Sequence, residues 1–162
     1  MKTTLVVVLV VWLLLGYFIL PEFEEAWIND WDGVLDFQCQ QKYSIKTISS
    51  IHDNYHEDRR WHFDCEKTFQ DPSCYFTNYV NDWDGLIHFT CSNGEAIAGF
   101  NSYHDNHRED RRWKIYCCKE KNKCSKACTW TRYVNDWDGH LHYTVPNGYV
   151  LRGVISEHDN DR

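Results

Sequence analysis

The pentapeptide Asn-Asp-Trp-Asp-Gly occurs three times in this chain, at residues 29–33, 81–85 and 135–139, and a longer pattern travels with it. Advancing the first copy by 52 residues lays Cys39 on Cys91, His52-Asp53-Asn54 on His104-Asp105-Asn106, and Cys65 on Cys117. It also lays Glu57-Asp58-Arg59-Arg60-Trp61 on Glu109-Asp110-Arg111-Arg112-Trp113. A further 54 residues lay His104-Asp105-Asn106 on His158-Asp159-Asn160. Self-similarity at a period near fifty residues makes each copy one supersecondary unit, too small to bury its apolar face alone and stable only against its neighbours. Such a chain is expected to act at several similar places.

After each Trp-Asp-Gly the side chains alternate. Leu35, Phe37 and Cys39 are interleaved with Asp36 and Gln38; Ile87, Phe89 and Cys91 with His88 and Thr90; Leu141, Tyr143 and Val145 with His142 and Thr144. Period-two alternation marks a half-buried strand. Asn93-Gly94 and Asn147-Gly148 then signal turns into a second strand at 96–102 and 150–156, with 45–51 as the first-copy counterpart. A third strand carries Trp61, Phe63 and Cys65, and again Trp113, Ile115 and Cys117. No segment sustains a helical period. The expected fold is all-β: three similar units of about 52 residues, built of short antiparallel strands and stapled by disulfides, with a pseudo-threefold axis as the candidate arrangement. Linkers are expected at 66–73, which contains Pro72, and at 119–126.

Lys2 followed by an uncharged, mostly aliphatic and aromatic run from Leu5 to Leu20 reads as the basic and apolar regions of an export signal, ending between residues 16 and 26. The run is shorter than the roughly 20 residues that span a bilayer. Removing residues 1–26 takes away one positive and three negative charges, moving the formal charge from −7 to −5. A mildly acidic mature domain over 27–162 argues against nucleic-acid binding. Eight cysteines in an exported chain read as a disulfide framework. Equivalence of the copies pairs Cys39 with Cys65 and Cys91 with either Cys117 or Cys118, leaving Cys74 for the other. Each loop so closed adds about 3 to 4 kcal/mol in the chain-entropy model. Cys124 and Cys128 have no evident internal partner, since Val145 stands where Cys39 and Cys91 stand. The third copy stops at Arg162, before another Glu-Asp-Arg-Arg-Trp, so an incomplete chain is the favoured reading, the alternative being that Cys124 and Cys128 pair with each other or between chains.

Asp30-Trp31-Asp32-Gly33 and its copies set two carboxylates one residue apart before a glycine, as at the start of a calcium loop. The remainder of the twelve-residue loop is absent. The leading reading is an Asx-type turn, in which Asp oxygens cap backbone N–H groups and Gly takes positive φ. No cofactor is expected, calcium being the one candidate. Trp31, Trp83 and Trp137 read first as core, because small β modules need large apolar side chains, and second as stacking platforms. A zinc site built on the histidines is disfavoured: His56 follows His52 by four residues whereas His107 follows His104 by three, a slip that fixed metal geometry would not tolerate.

Asp58, Arg59, Arg60 and Trp61, and equally Asp110, Arg111, Arg112 and Trp113, interleave carboxylate, guanidinium and indole. On a strand Arg59 and Trp61 share one face and Arg60 takes the other. One arginine can therefore pair internally with Asp58 or Asp53 while its neighbour offers a bidentate fork to a sulfate, carboxylate or sugar hydroxyl. Lys119, Lys121, Lys123 and Lys126 read as a solvated loop, with polyanion contact as the sharper alternative. Enzymatic activity is not expected. There is no Gly-x-Ser-x-Gly and no His-Glu-x-x-His, and the carboxylates recur beside arginines that keep them ionised. Repeated weak sites suit adhesion, where linkage raises avidity by orders of magnitude.

The Asp-Arg-Arg-Trp units, each followed by an aromatic-flanked cysteine, together with the Cys117-Cys118 pair, resemble the dermatopontin family. Asn-Asp-Trp-Asp-Gly, Ser-Ile-His-Asp-Asn and the late Gly-Tyr-Val-Leu-x-Gly segment are similar to its invertebrate hemagglutinin and amebocyte-aggregation branch. The likeness covers 27–162, as units 27–65, 79–118 and 133–162. It implies a secreted, extracellular protein that agglutinates cells through surface glycans or glycosaminoglycans, reaching membranes only through those glycans. The alternative it implies is a matrix protein binding proteoglycans and collagen. It further implies pairing of Cys39 with Cys65, Cys74 with Cys117 and Cys91 with Cys118, which exchanges the last two relative to repeat equivalence.

Overall fold

A computed structural model describes residues 26–120 and 127–159. The expected export signal, apart from Ala26, lies outside the described residues, as do Lys121, Lys123, Cys124 and Lys126. Among the described residues nine strands form: β1 (Leu35–Gln38), β2 (Tyr43–Asp53), β3 (Asp58–Lys67), β4 (Pro72–Phe76), β5 (Ile87–Thr90), β6 (Glu95–Asp105), β7 (Asp110–Glu120), β8 (Leu141–Thr144) and β9 (Gly153–Ser156). There is no helix among the described residues. The strands make three antiparallel sheets, ordered β1-β6-β7-β4, β3-β2-β8 and β5-β9.

The short strands that follow Trp-Asp-Gly do not pair within their own copies. β1 pairs with β6, β5 with β9, and β8 with β2, so the pairings run from the first copy to the second, from the second to the third and from the third to the first. Four residues are too few to form an independent sheet, and each gains stability by adding to the long strand of its neighbour. The N–H of the residue after each short strand extends the ladder: Cys39 to the Ala98 carbonyl, Cys91 to that of Arg152 and Val145 to that of Lys46, at 2.8, 2.9 and 2.8 Å.

The long hairpins β2–β3 and β6–β7 turn through the His-Asp-Asn motif. The Asp53 carboxylate accepts the N–H groups of Tyr55 and His56, and Asp105 accepts those of His107 and Arg108. The His-Asp-Asn motif is thus a turn device, with its aspartate capping donors that the reversal leaves open. The turns entering β2 and β6 take a positive φ at Lys42 and Gly94, and the turn after β8 takes one at Gly148. Lysine therefore occupies a seat where the other copies use glycine.

The core is shared between copies. Leu35, Ile45, Ile97, Ile115, Cys91 and Cys117 are fully buried. Phe63 stacks between Phe37 and Phe100 at 5.1 and 5.2 Å, and Trp61 meets Trp113 edge to face at 5.2 Å. Rings held at these separations add about 0.5–1.5 kcal/mol per pair beyond the area they bury.

Three expectations are corrected. The linker at 66–73 is partly strand: β3 continues to Lys67, and Pro72 opens β4 on a sheet edge, where its missing N–H removes no ladder bond from a central strand. Lys119 lies within β7, opposite Ser73 and Glu95, rather than in a solvated loop. The disulfides are Cys39–Cys65, Cys74–Cys118 and Cys91–Cys117, so the last two follow repeat equivalence and not the pairing implied by family resemblance. Successive residues of a strand point to opposite faces. Cys118 faces Cys74 directly across the β4–β7 ladder, while Cys117 turns into the core, where Cys91 lies.

Candidate functional site

The Asn-Asp-Trp-Asp-Gly segment is a backbone-bonded turn that holds a neighbouring strand. Gly33 N–H donates to the Asp30 carbonyl at 3.0 Å, Gly85 to Asp82 at 3.1 Å and Gly139 to Asp136 at 3.0 Å. Positive φ falls on Asp32, Asp84 and Asp138, not on the glycine as expected. Glycine is required for a different reason: a Cβ on Gly33 would sit 2.9 Å from the Asp30 carbonyl oxygen. The asparagine that opens the motif clamps the arginine-bearing strand. Asn29 Oδ1 accepts the Trp61 N–H at 2.9 Å and its Nδ2 donates to the Arg59 carbonyl at 2.9 Å. Asn81 holds Trp113 N–H and the Arg111 carbonyl in the same way, at 2.9 and 2.8 Å.

With the strand so fixed, strand parity divides each Arg-Arg pair. Arg111 turns inward and crosses to the preceding copy. Its Nε and Nη2 donate to the two oxygens of Asp58 at 2.6 and 2.7 Å, and Nη2 also reaches the Gly33 carbonyl at 2.9 Å. The second oxygen of Asp58 accepts the Asp32 N–H at 2.8 Å, and His104 Nδ1 lies 3.4 Å from the first. Burial pushes the Asp58 carboxyl up, but the nearby His104 ring and the hydrogen-bonded Arg111 guanidinium outweigh it and hold the group well below the usual carboxylate range. Arg59 is the first-copy counterpart of Arg111. Its Nη2 donates to the Gly139 carbonyl at 3.0 Å, and burial lowers its pKa against the opposing pull of Asp138 and Asp58.

Arg60 and Arg112 turn outward onto aromatic rings. The Arg60 guanidinium lies 4.8 Å from the ring centroid of Trp31 and 5.5 Å from that of Trp27, and Trp31 stacks on His56 at 5.2 Å. Arg112 lies 4.5 Å from Tyr79 and 6.0 Å from Trp83, with Lys114 4.6 Å from Tyr79 and Arg108 5.6 Å from Trp83. Arg112 is partly engaged by the Asn81 carbonyl and by Asp82, at 3.1 and 3.3 Å. Arg60 has no hydrogen-bond acceptor among the described residues, and its Nε is a buried donor without a partner. A guanidinium stacked on an indole face keeps its in-plane N–H groups free of the ring and able to hydrogen-bond.

The proposed binding residues are therefore split. Arg60, Arg112, Trp31 and Trp83 gather in two surface clusters, and Trp137 is exposed on the third copy. Trp31 and Trp83 are only half-buried and pack outside the core, which corrects their leading reading as core residues. Asp58, Asp110 and Arg111 are buried, Arg59 is half-buried with its guanidinium turned inward, and Trp61 and Trp113 pack against the core. Trp27, Tyr79, His56, Arg108 and Lys114 complete the clusters and were not anticipated. A signal for two of them was present: Trp27, Tyr79 and Tyr133 stand two residues before the asparagine of each copy. Of the remaining cysteines, Cys128 is an exposed thiol.

The geometry does not suit calcium. Carboxylate oxygens of Asp32 and Asp58 and a ring nitrogen of His104 lie within 4.8 Å of one another, but Arg111 spans both oxygens of Asp58 and already supplies the positive charge. A divalent ion there would have to displace a guanidinium that makes two short charge-assisted bonds.

Comparison with known proteins agrees with this architecture. The chain is 78% identical over 142 residues to the hemagglutinin/amebocyte aggregation factor of Limulus polyphemus, covering 86% of this chain and 83% of that one. It is 37% identical over 139 residues to Millepora cytotoxin-1 of Millepora dichotoma, covering 82% and 60% of the two chains. It is 34% identical over 134 residues to the dermatopontin of Biomphalaria glabrata, covering 83% and 90%. No solved structure matches the chain. The family model described as Dermatopontin matches residues 29–162, and with these relatives it establishes that the chain belongs to the dermatopontin family.

Proposed function

We propose that this protein is a secreted, multivalent glycan-binding protein that aggregates cells, and that its contact points are the outward arginine–aromatic clusters. The observation that carries this reading is Arg60, stacked over Trp27 and Trp31 with no hydrogen-bond acceptor for its guanidinium among the described residues. An indole beside a guanidinium suits a sugar: the ring stacks on the C–H face while the fork takes a carboxylate, a sulfate or paired hydroxyls. Arg112 with Tyr79 and Trp83 repeats the arrangement on the second copy, so one chain offers more than one contact. Asp58, Asp110, Arg111, Trp61 and Trp113 serve as the frame that presents the outward residues. Three similar units about a pseudo-threefold axis fit the cyclic strand pairing and would spread the contacts around one particle. The name of the Limulus polyphemus relative, hemagglutinin/amebocyte aggregation factor, supports the reading.

Red-cell agglutination by the recombinant protein tests it, with soluble sulfated, carboxylated and neutral glycans as competitors. Inhibition by one glycan class is the expected result. Agglutination indifferent to every glycan sinks the reading. Proteoglycan binding with faster collagen fibril formation, and no agglutination, assigns the matrix function instead. Hydrolytic turnover of a bound glycan would return the protein to the enzymes.

A further inference from the structure

The two outward arginine clusters share one plan and differ in what surrounds the arginine. A shift of 52 residues lays Trp27 on Tyr79, Trp31 on Trp83 and Arg60 on Arg112, and it also lays His56 on Arg108, His62 on Lys114 and Asp64 on Tyr116. Passing from the first copy to the second therefore replaces two histidines by cations and removes one carboxylate. Arginine and lysine stay charged across the physiological range, whereas a histidine ordinarily titrates at roughly pH 6.5. Asp30 and Asp82, and Asp53 and Asp105, are common to both plans and do not distinguish them.

The exchanged residues stand at the contact points. Arg112 and Lys114 lie on one face of β7, because alternate residues of a strand share a face. Both sit against Tyr79, at 4.5 and 4.6 Å from its ring centroid, and Arg112 shares Trp83 with Arg108, at 6.0 and 5.6 Å. Three cations thus stand side by side around two rings, where like charges repel and an arriving anion relieves the repulsion. Arg108 and Lys114 have no ion-pair partner among the described residues. The carboxylate beside Arg112, that of Asp82 at 3.3 Å, is 96% exposed, so water and salt screen the pair. The first-copy cluster is closed on itself. His56 lies flat on Trp31 with its Nδ1 2.8 Å from Asp53 Oδ1, and His62 Nε2 lies 3.5 Å from Asp64 Oδ1. Whatever positive charge these rings take up is met by a carboxylate of their own copy, which leaves Arg60 to face a ligand.

We propose that the two clusters select different glycans: Arg108 and Lys114 make the second-copy cluster the seat of a densely sulfated sugar segment, while His56, His62 and Asp64 restrict the first-copy cluster to sugars of low charge. The proposal rests on the glycan-binding reading above and assigns each contact its ligand class. At the second copy, one sulfate takes the planar fork of Arg112 and its neighbours on the sugar meet Arg108 and Lys114. At the first copy, a dense anion meets one guanidinium and the carboxylates of Asp53 and Asp64, and like charge turns it away. A sugar with paired hydroxyls meets no such penalty there. One chain then joins two unlike surfaces, an anionic glycan on one side and a weakly charged one on the other.

A heparin tetrasaccharide is the probe, added to the intact full-length protein. On saturation, amide exchange is expected to slow at residues 79–83 and 108–114 and to stay unchanged at 27–31 and 56–62. Arg108→His with Lys114→His writes the first-copy residues into the second copy. It is expected to weaken binding at least tenfold and to make the remaining affinity less sensitive to salt. His56→Arg with His62→Lys and Asp64→Tyr makes the reverse exchange and is expected to add a footprint at 27–31 and 56–62. Equal protection of both clusters in the unaltered protein overturns the proposal. So does protection confined to 119–126, unchanged affinity in the histidine variant, or absence of saturable binding below millimolar probe. Agglutination blocked by a neutral glycan, with no binding of the tetrasaccharide, overturns this inference and leaves the general glycan-binding reading standing. The footprint on the unaltered protein decides by itself, so failure of a variant to fold does not blur the result.

Discussion

Arg111 donates two hydrogen bonds to the carboxylate of Asp58, 53 positions earlier in the chain, and both side chains are almost wholly buried. This pair ties the second copy to the first more specifically than the apolar contacts around it, because both geometry and charge must match. Its geometry meets much of the condition under which burying two charges is tolerable, since the carboxylate also accepts the Asp32 N–H and has the His104 ring 3.4 Å away.

Removing one partner strands the other. Arg111→Leu is expected to destabilise the protein by about 3 to 5 kcal/mol, and Asp58→Leu by a comparable amount, whereas the double change costs far less than the sum. Denaturant midpoints of the four proteins under oxidising conditions measure the coupling.

Acid acts on the same pair. The Asp58 carboxyl titrates below its unfolded value, roughly 3.9, so its stabilising contribution is fully present above that value and is lost as pH falls toward the folded one. Stability is expected to hold from pH 7 to 5 and to decline below about pH 4. In Asp58→Asn that part of the decline is expected to vanish, as read from urea midpoints at each pH.

The asparagine clamp makes a separate prediction. Asn81→Ala removes the partner of the Trp113 N–H and of the Arg111 carbonyl and is expected to cost about 1 to 3 kcal/mol. Asn135→Ala is expected to cost well under 1 kcal/mol, because among the described residues its amide holds only the adjacent turn. Thermal unfolding of the two variants separates them.

Agglutination should depend on the outward arginines and not on general charge. Arg60→Ala with Arg112→Ala is expected to raise the protein concentration needed for agglutination by tenfold or more, with the β-rich spectrum unchanged. Each single change is expected to have a smaller effect, because linked contacts compensate for one weakened site. Arg60→Lys is expected to behave like Arg60→Ala, since an ammonium lacks the planar fork that stacks between two indoles. A haemagglutination titre checks all four.

Much of this was legible in the residues. Alternation around Leu35, Ile87 and Leu141 located the short strands, since side chains of a half-buried strand must alternate. Parity along Asp58-Arg59-Arg60-Trp61 foretold that one arginine would turn inward and the next outward. The inward partner was not legible. Within one copy Arg111 would be matched with Asp110 or Asp105, whereas it bonds Asp58 of another copy, a choice made only when β1 crosses to β6. Trp31 failed as a core residue for a related reason: its turn lies at the rim of the sheets, where Arg60 and His56 cover its faces.

The chain by itself determined the repeat, the strand periodicity, the cysteine framework and the division of each Arg-Arg pair, because these follow from local stereochemistry and spacing. Tertiary structure alone decided which copy each short strand joins, which aspartate each inward arginine meets, and whether Cys117 or Cys118 closes on Cys91. Those outcomes depend on which faces are brought together in space. Segments that share these motifs present similar local choices, so only the packing of one against another can tell them apart.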